Sequence, residues 1–110
     1  NFEKVLFQYQ RDKKEKGAIL FDIDNFKNIN DTYGHLVGDK VLIRVSTILK
    51  QTVRKSDYIA RWGGEEFSVL LMNSNLEQTK NVAMKIKNAL ENDLELFSLT
   101  KYFSQKYRVE

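Results

Sequence analysis

The seven residues Arg61-Trp62-Gly63-Gly64-Glu65-Glu66-Phe67 restrict the fold of this chain more than any other stretch. Two glycines and two adjacent carboxylates stand between two runs suited to extended backbone, Tyr58-Ile59-Ala60-Arg61-Trp62 and Phe67-Ser68-Val69-Leu70-Leu71. Both runs are rich in β-branched, aromatic and aliphatic residues, and Gly-Gly between such runs favours a tight hairpin turn. Without Cβ atoms the two glycines also let a ligand approach the backbone closely. Taken alone, the pattern is most simply a turn bearing two solvated glutamates. Other parts of the sequence shift the reading towards a metal site at a hairpin tip.

Well upstream, Ala18-Ile19-Leu20-Phe21 predicts a buried strand that runs directly into Asp22-Ile23-Asp24. Strand side chains alternate, so both aspartates share one face if the extended conformation persists. Carboxylates crowded at a strand end repel one another unless a cation or solvent relieves them, and hard oxygen ligands of this kind suit Mg²⁺. Asp22 and Glu65 are therefore candidate ligands, whereas Asp24 is expected to cap the next helix.

The remaining elements follow from periodicity. A first helix is expected over about residues 2 to 15, with Phe2, Val5, Leu6 and Tyr9 on one face, closed by the charged run Arg11-Asp12-Lys13-Lys14-Glu15-Lys16 before Gly17. That run is read as a solvated helix end that complements the helix dipole, not as a nucleic-acid contact. Asn25 to Thr32 suits a short helix ending near Gly34, and from Asp39 the stripe Val41, Leu42, Val45, Ile48, Leu49 predicts an amphipathic helix to about Val53. A further stripe, Val82, Ala83, Ile86, Ala89 and Leu90, follows Asn75, whose side chain can cap it together with Gln78. The tail from Leu94 to Glu110 receives no element. Helices alternating with antiparallel strands indicate an α+β sandwich, with helices packed on one or both faces of a sheet.

Composition excludes several classes. The 110 residues suffice for one core, no apolar run approaches the length needed to cross a bilayer, and no signal segment opens the chain, so a soluble piece is expected. There is no cysteine, hence no disulfide framework and no thiolate nucleophile, and the chemistry must run through oxygen and nitrogen. The net charge of +3, from 18 basic against 15 acidic residues, is a mild excess. No proline, repeat or low-complexity tract marks a boundary, so residues 1–110 are read as one domain.

Together, Asp22-Ile23-Asp24-Asn25-Phe26-Lys27-Asn28-Ile29-Asn30-Asp31, Tyr33-Gly34-His35, Gly38-Asp39 and Arg61 to Phe67 resemble the GGDEF domain of diguanylate cyclases, in the variant whose signature reads GGEEF. The likeness spans roughly residues 2 to 92 and rests on several motifs in order. It implies a ferredoxin-like core related to the palm of nucleotide polymerases and adenylate cyclases. It also implies condensation of two GTP molecules into cyclic di-GMP with release of pyrophosphate, by a homodimer in which each domain holds one GTP. By the same resemblance Asp22, the main-chain carbonyl of Ile23 and Glu65 would bind Mg²⁺ (or Mn²⁺), and Glu66, or by some accounts Glu65, would accept the proton of the attacking hydroxyl. The N–H groups of Asn25 and Phe26 would cradle phosphate, a task that helix N-termini perform for general reasons. Lys27 would add positive charge near the transferring phosphoryl group, with Gly63 and Gly64 beside the nucleotide. Asn30 and Asp39 would hold the guanine edge, for which an acceptor and an amide are the fitting chemistry. His35 matches a position near the nucleotide, although a lone histidine is as often structural. Arg54-Lys55-Ser56-Asp57, five residues before Gly63, fits the family's R-x-x-D site for inhibition by product.

The departures from the family pattern count too. The resemblance implies a longer domain with a final helix, a Thr/Ser-x-Ser-x-Gly-like strand and a Lys and Arg on the terminal phosphates, none of which the tail supplies. The chain is therefore expected to be a partial domain, incomplete at its C-terminus and lacking the entry motif, that exposes a sheet edge, binds GTP weakly and turns over slowly. One rival is a catalytically weak or inactive module that binds GTP or cyclic di-GMP and signals through a partner. Another is an RNA-recognition module, which the two glutamates after the glycines disfavour because they repel a phosphate backbone. The expected partners are thus GTP and cyclic di-GMP, a second copy, and an upstream sensor or receiver domain, with no nucleic acid. GTP implies the cytoplasm, and a membrane tether elsewhere in the full protein is left open.

Overall fold

The computed structural model describes residues 15–110. The helix expected over about residues 2 to 15, with its stripe Phe2 to Tyr9 and most of the charged run, lies outside that range; Glu15 has no regular structure and Lys16 opens a strand.

Eight elements follow: β1 (Lys16–Ile23), α1 (Phe26–Tyr33), α2 (His35–Thr52), β2 (Tyr58–Trp62), β3 (Glu66–Met72), α3 (Leu76–Glu91), α4 (Leu94–Thr100) and β4 (Gln105–Val109). The sheet order is β2-β3-β1-β4 and every pairing is antiparallel. Helices α1 and α2 bridge β1 to β2, and α3 and α4 bridge β3 to β4, which is the ferredoxin-like arrangement of an α+β fold. β1 lies between β3 and β4, and the strand expected to be buried over Ala18 to Phe21 is buried on one face only: Gly17, Ile19, Phe21 and Ile23 are buried, while Lys16, Ala18, Leu20 and Asp22 are partly exposed, because strand side chains alternate. The buried set meets Val41, Val45, Ile48 and Leu49 of α2, Ala83, Ile86 and Leu90 of α3, and Leu96 of α4. Phe21 and Phe67, directly opposed across β1 and β3, stack with ring centroids 5.2 Å apart. Burial of each such side chain contributes about 1.5–3 kcal/mol, and together they set the register of β1.

Two helices differ from the periodicity reading. α2 starts at His35, not Asp39, because Gly34, at φ 92°, both ends α1 and opens the next helix. Its first turn runs out past the core, with Leu36 70% exposed, so it carries no apolar stripe to betray it. The tail is ordered as α4 and β4. Asp93 caps α4 by accepting from the Leu96 N–H at 3.0 Å and receives Arg44 of α2 through two bonds, Nε to Oδ2 at 3.0 Å and Nη2 to Oδ1 at 2.8 Å. The Arg44 guanidinium beside it holds the Asp93 carboxyl below its usual range. α3 begins as predicted, with the Asn75 carboxamide accepting from Gln78 N–H at 2.8 Å and Gln78 accepting in return from Asn75 N–H at 2.9 Å. Among the described residues no helix is long and apolar enough to cross a membrane.

Candidate functional site

The end of β1 and the tip of the β2–β3 hairpin meet at one corner of the sheet. Gly63 (φ 34°) and Gly64 (φ 45°) take the left-handed backbone that L side chains rarely adopt, and Glu66 N–H donates to the Gly63 carbonyl at 3.2 Å to close the turn. A Cβ on either glycine would meet nothing within 4 Å, so the tip is open to an approaching molecule. The loop holds Glu65 as well as the two glycines, because the last paired residues are Trp62 and Glu66.

Register decides which groups face one another. Asp22 is opposite Glu66 on one side and opposite Lys106 on the other, and Glu66 is opposite Trp62. Directly opposed residues share a face, so Trp62, Glu66, Asp22 and Lys106 form a row across all four strands on the side away from Phe21 and Phe67. They line a cleft of about 410 Å³ with Leu20 and Arg108 among its other walls. Glu65 joins the corner through its backbone, its carbonyl accepting from the Ile23 N–H at 3.2 Å. The acids of β1 and of the hairpin tip, far apart in sequence, are therefore neighbours in space. Among the described residues no three His, Cys, Asp or Glu side chains gather around one point. The donor set drawn from the sequence is two carboxylates and one carbonyl, all hard oxygens, which fits a small divalent ion whose remaining ligands come from water or a phosphate.

Asp24 does not cap α1. The cap position belongs to Asn25, in the left-handed region at φ 55° and without a side-chain cap bond, a conformation that Asn tolerates better than most residues. Past Ile23 the chain turns, and Asp24 faces β4 instead: its N–H donates to the Ser104 carbonyl at 3.0 Å, Ser104 Oγ donates to Oδ2 at 3.4 Å, and Lys106 Nζ stands 3.6 Å from Oδ1. Asn25 and Phe26 form the N-terminal end of α1, with Phe26 buried in the core and Lys27 exposed beside it.

Gly38 of α2 lies against the Asn30 carboxamide of α1. A Cβ at Gly38 would lie 1.9 Å from Asn30 Oδ1 and 3.3 Å from Phe26 Cζ, so only glycine allows α2 to close onto the Asn30 carboxamide. Asp39 follows on the exposed side, and His35 is exposed at the first position of α2.

Arg54 and Asp57 are occupied with each other. Arg54 Nε and Nη2 donate to Asp57 at 3.2 and 3.1 Å, and Nη2 also reaches the Met72 carbonyl at 2.6 Å and Ser74 Oγ at 3.2 Å. The Asp57 carboxylate accepts in addition from the N–H groups of Arg54 and Met72, at 3.0 and 3.1 Å. Asp57 is 2% exposed and Arg54 58% exposed, so this pair locks the loop before β2 to the end of β3 and presents the arginine alone. Sequence reasoning missed Lys106 because β4 was not recognised. The alternation Lys106-Tyr107-Arg108-Val109-Glu110 was the available signal.

The family model described as "Diguanylate cyclase, GGDEF domain" matches residues 1–104. Diguanylate cyclase A of Treponema denticola is 51% identical over 81 residues, covering 73% of this chain and 22% of that protein. Diguanylate cyclase DgcP of Pseudomonas aeruginosa is 41% identical over 88 residues, covering 80% of this chain and 13% of that protein. The active GGEEF domain of a diguanylate cyclase from Vibrio cholerae superposes with a TM-score of 0.86 at 28% identity, covering 96% of this chain and 67% of that one. The chain spans from 15% to 25% of the length of the first curated relatives that it matches.

Proposed function

From the premise that this chain belongs to the GGDEF family of diguanylate cyclase domains, we propose that it condenses two GTP molecules into cyclic di-GMP, each of two copies holding one nucleotide. The observation that carries the reading is the corner itself: Asp22 in register with Glu66, and Ile23 hydrogen-bonded to Glu65 at 3.2 Å.

Asp22, the Ile23 carbonyl and Glu65 hold Mg²⁺ or Mn²⁺. When bound, the ion supplies charge neutralisation of the triphosphate and polarisation at the α-phosphorus. The N–H groups of Asn25 and Phe26 receive phosphate oxygens at the start of α1, where the helix end favours anions. Lys27, exposed beside them, adds positive charge where negative charge accumulates on the phosphoryl oxygens. Asp39 accepts from guanine N1–H and the exocyclic amine, and Asn30, held by Gly38, donates to O6 or N7. Gly63 and Gly64 leave room at the tip for the nucleotide, and His35 flanks it from the start of α2. Glu66 accepts the proton of the 3′-hydroxyl of the partner's GTP as that oxygen bonds to the α-phosphorus and the bond to pyrophosphate breaks. The reciprocal step closes the ring and releases the second pyrophosphate.

Arg54 is the group offered to cyclic di-GMP as an inhibitor, since its guanidinium can fork onto phosphate or stack on guanine while Asp57 holds it in place. The need for GTP makes the cytoplasm the compartment, and a sensor elsewhere in the full-length protein supplies the input.

Incubation of the 110-residue chain with GTP and Mg²⁺, following pyrophosphate and cyclic dinucleotide, tests the reading. Product formation that rises with the second power of protein concentration and is abolished in Asp22→Asn is expected. Cyclic di-GMP binding without pyrophosphate release would replace the cyclase by a receptor, and failure of Asp22→Asn to weaken either activity or Mn²⁺ binding would overturn the site.

A further inference from the structure

We infer that Lys106 is a built-in cation that occupies the acidic corner when no divalent ion is there, and so competes with the ion and sets its affinity. This rests on the metal-site reading above and goes beyond it, because it assigns a role to a residue of β4 that the motifs do not contain.

Three observations carry it. The ladder puts Lys106 directly opposite Asp22, and opposed residues lie on one face with Cβ atoms about 4.5–5.5 Å apart. Its ammonium reaches the other side of the same corner, 3.6 Å from Asp24 Oδ1. It also lines the same cleft as Asp22 and Glu66. Register thus sets Lys106 opposite Asp22, which faces Glu66 on its other side, while the ammonium stands against Asp24, two residues further on. The opposed Asp22 and Glu66 carboxylates repel one another, and a positive charge beside them relieves that repulsion. Lys106 is 76% exposed, so its stem is free to swing the ammonium out when a more highly charged ion enters. A cation that relieves this repulsion opposes the entry of a divalent ion, because the ion then meets the lysine charge beside Asp22. Arg108, the next residue on this face, points its charge to Glu110 at 3.0 Å and is accounted for by that pair.

The test reads metal binding, not turnover. Mn²⁺ alone is titrated into the full chain by electron paramagnetic resonance, at low ionic strength so that surface charge is not screened. The variants are Lys106→Met, which keeps the length of the stem, Lys50→Met, which removes the same charge from exposed α2, and Asp22→Asn. Lys106→Met is expected to bind Mn²⁺ about 3- to 10-fold more tightly, in keeping with a partly screened charge pair, and the gain shrinks as salt is added. Lys50→Met should stay within about twofold of the unchanged protein. If Lys106→Met binds no more tightly than Lys50→Met while Asp22→Asn binds less, the inference is overturned and the metal site stands. If binding is insensitive to Asp22→Asn, both are overturned.

Discussion

Replacing Gly38 by alanine should separate nucleotide recognition from folding. The added methyl would lie 1.9 Å from Asn30 Oδ1, 3.0 Å from its Cγ and 3.3 Å from Phe26 Cζ. Ordinary contact needs ~3.5 Å, so the carboxamide must retreat by roughly 1.5 Å. Asn30 sits partly exposed on α1 and its side chain can rotate, which makes that retreat inexpensive for the fold. Phe26 is buried and must yield by a few tenths of an ångström. Overpacking of this kind costs about 1–3 kcal/mol, whereas Gly to Ala inside a helix returns about 1 kcal/mol, so the net change in stability should be small, between about 0 and 2 kcal/mol. Recognition should suffer as well. The hydrogen bond from Asn30 to the guanine edge, at about 0.5–1.5 kcal/mol, amounts to a loss of about 2- to 13-fold in GTP affinity. Urea unfolding and calorimetric binding of a non-hydrolysable GTP analogue with Mg²⁺ measure the two effects side by side. Asn30→Ala should produce a similar binding loss, and the double variant should lose little more than either single one, because both changes remove the same contact. Gly38→Ala that is more stable by about 1 kcal/mol and binds the analogue normally would refute the close approach of α2 to Asn30.

Glu66→Gln should leave GTP binding within a few-fold but slow pyrophosphate release by about 10²–10⁴, as removal of a proton acceptor does; single-turnover kinetics check it. Arg54→Ala should relieve inhibition by added cyclic di-GMP. It should also destabilise the chain by about 1–3 kcal/mol in urea unfolding, because the nearly buried Asp57 carboxylate loses its two guanidinium donors and keeps only the N–H groups of residues 54 and 72. Asp93 has its carboxyl held below its ordinary value of 3.8 by the hydrogen bond from Arg44, so the stability it contributes is fully present above that value. It is lost as pH falls through the lower folded value, and unfolding midpoints measured from pH 7 downward should decline less steeply in Arg44→Met.

Much of the fold was legible because its signals are local. The Gly-Gly tip needs positive φ, the Asn75–Gln78 box satisfies its own helix end, and the apolar run Ala18 to Phe21 marks β1, although only the fold shows that Ala18 and Leu20 lie on its partly exposed face; each signal is written within a few consecutive residues. Elements whose signals are short or diluted were not legible. α4 has only seven residues, the first turn of α2 has no buried stripe, and β4 alternates over five residues that end a tail full of aromatics. Asp24 was misread for a related reason: two cap-forming residues stand side by side, and the left-handed turn at Asn25 selects the second.

What the linear order of residues determined by itself is the chemistry on offer, namely oxygen donors at a strand end and a hairpin tip, a helix start whose N–H groups suit an anion, and an amide and a carboxylate on successive helices. What only the tertiary structure decided is who faces whom. Register set Asp22 between Glu66 and Lys106, helix packing pressed Asn30 against Gly38, and the loop before β2 turned Asp57 inward onto Arg54. Such neighbours depend on how buried side chains such as Phe21 and Phe67 pair across strands far apart in the chain, and a shift of one residue would have sent every one of those side chains to the opposite face.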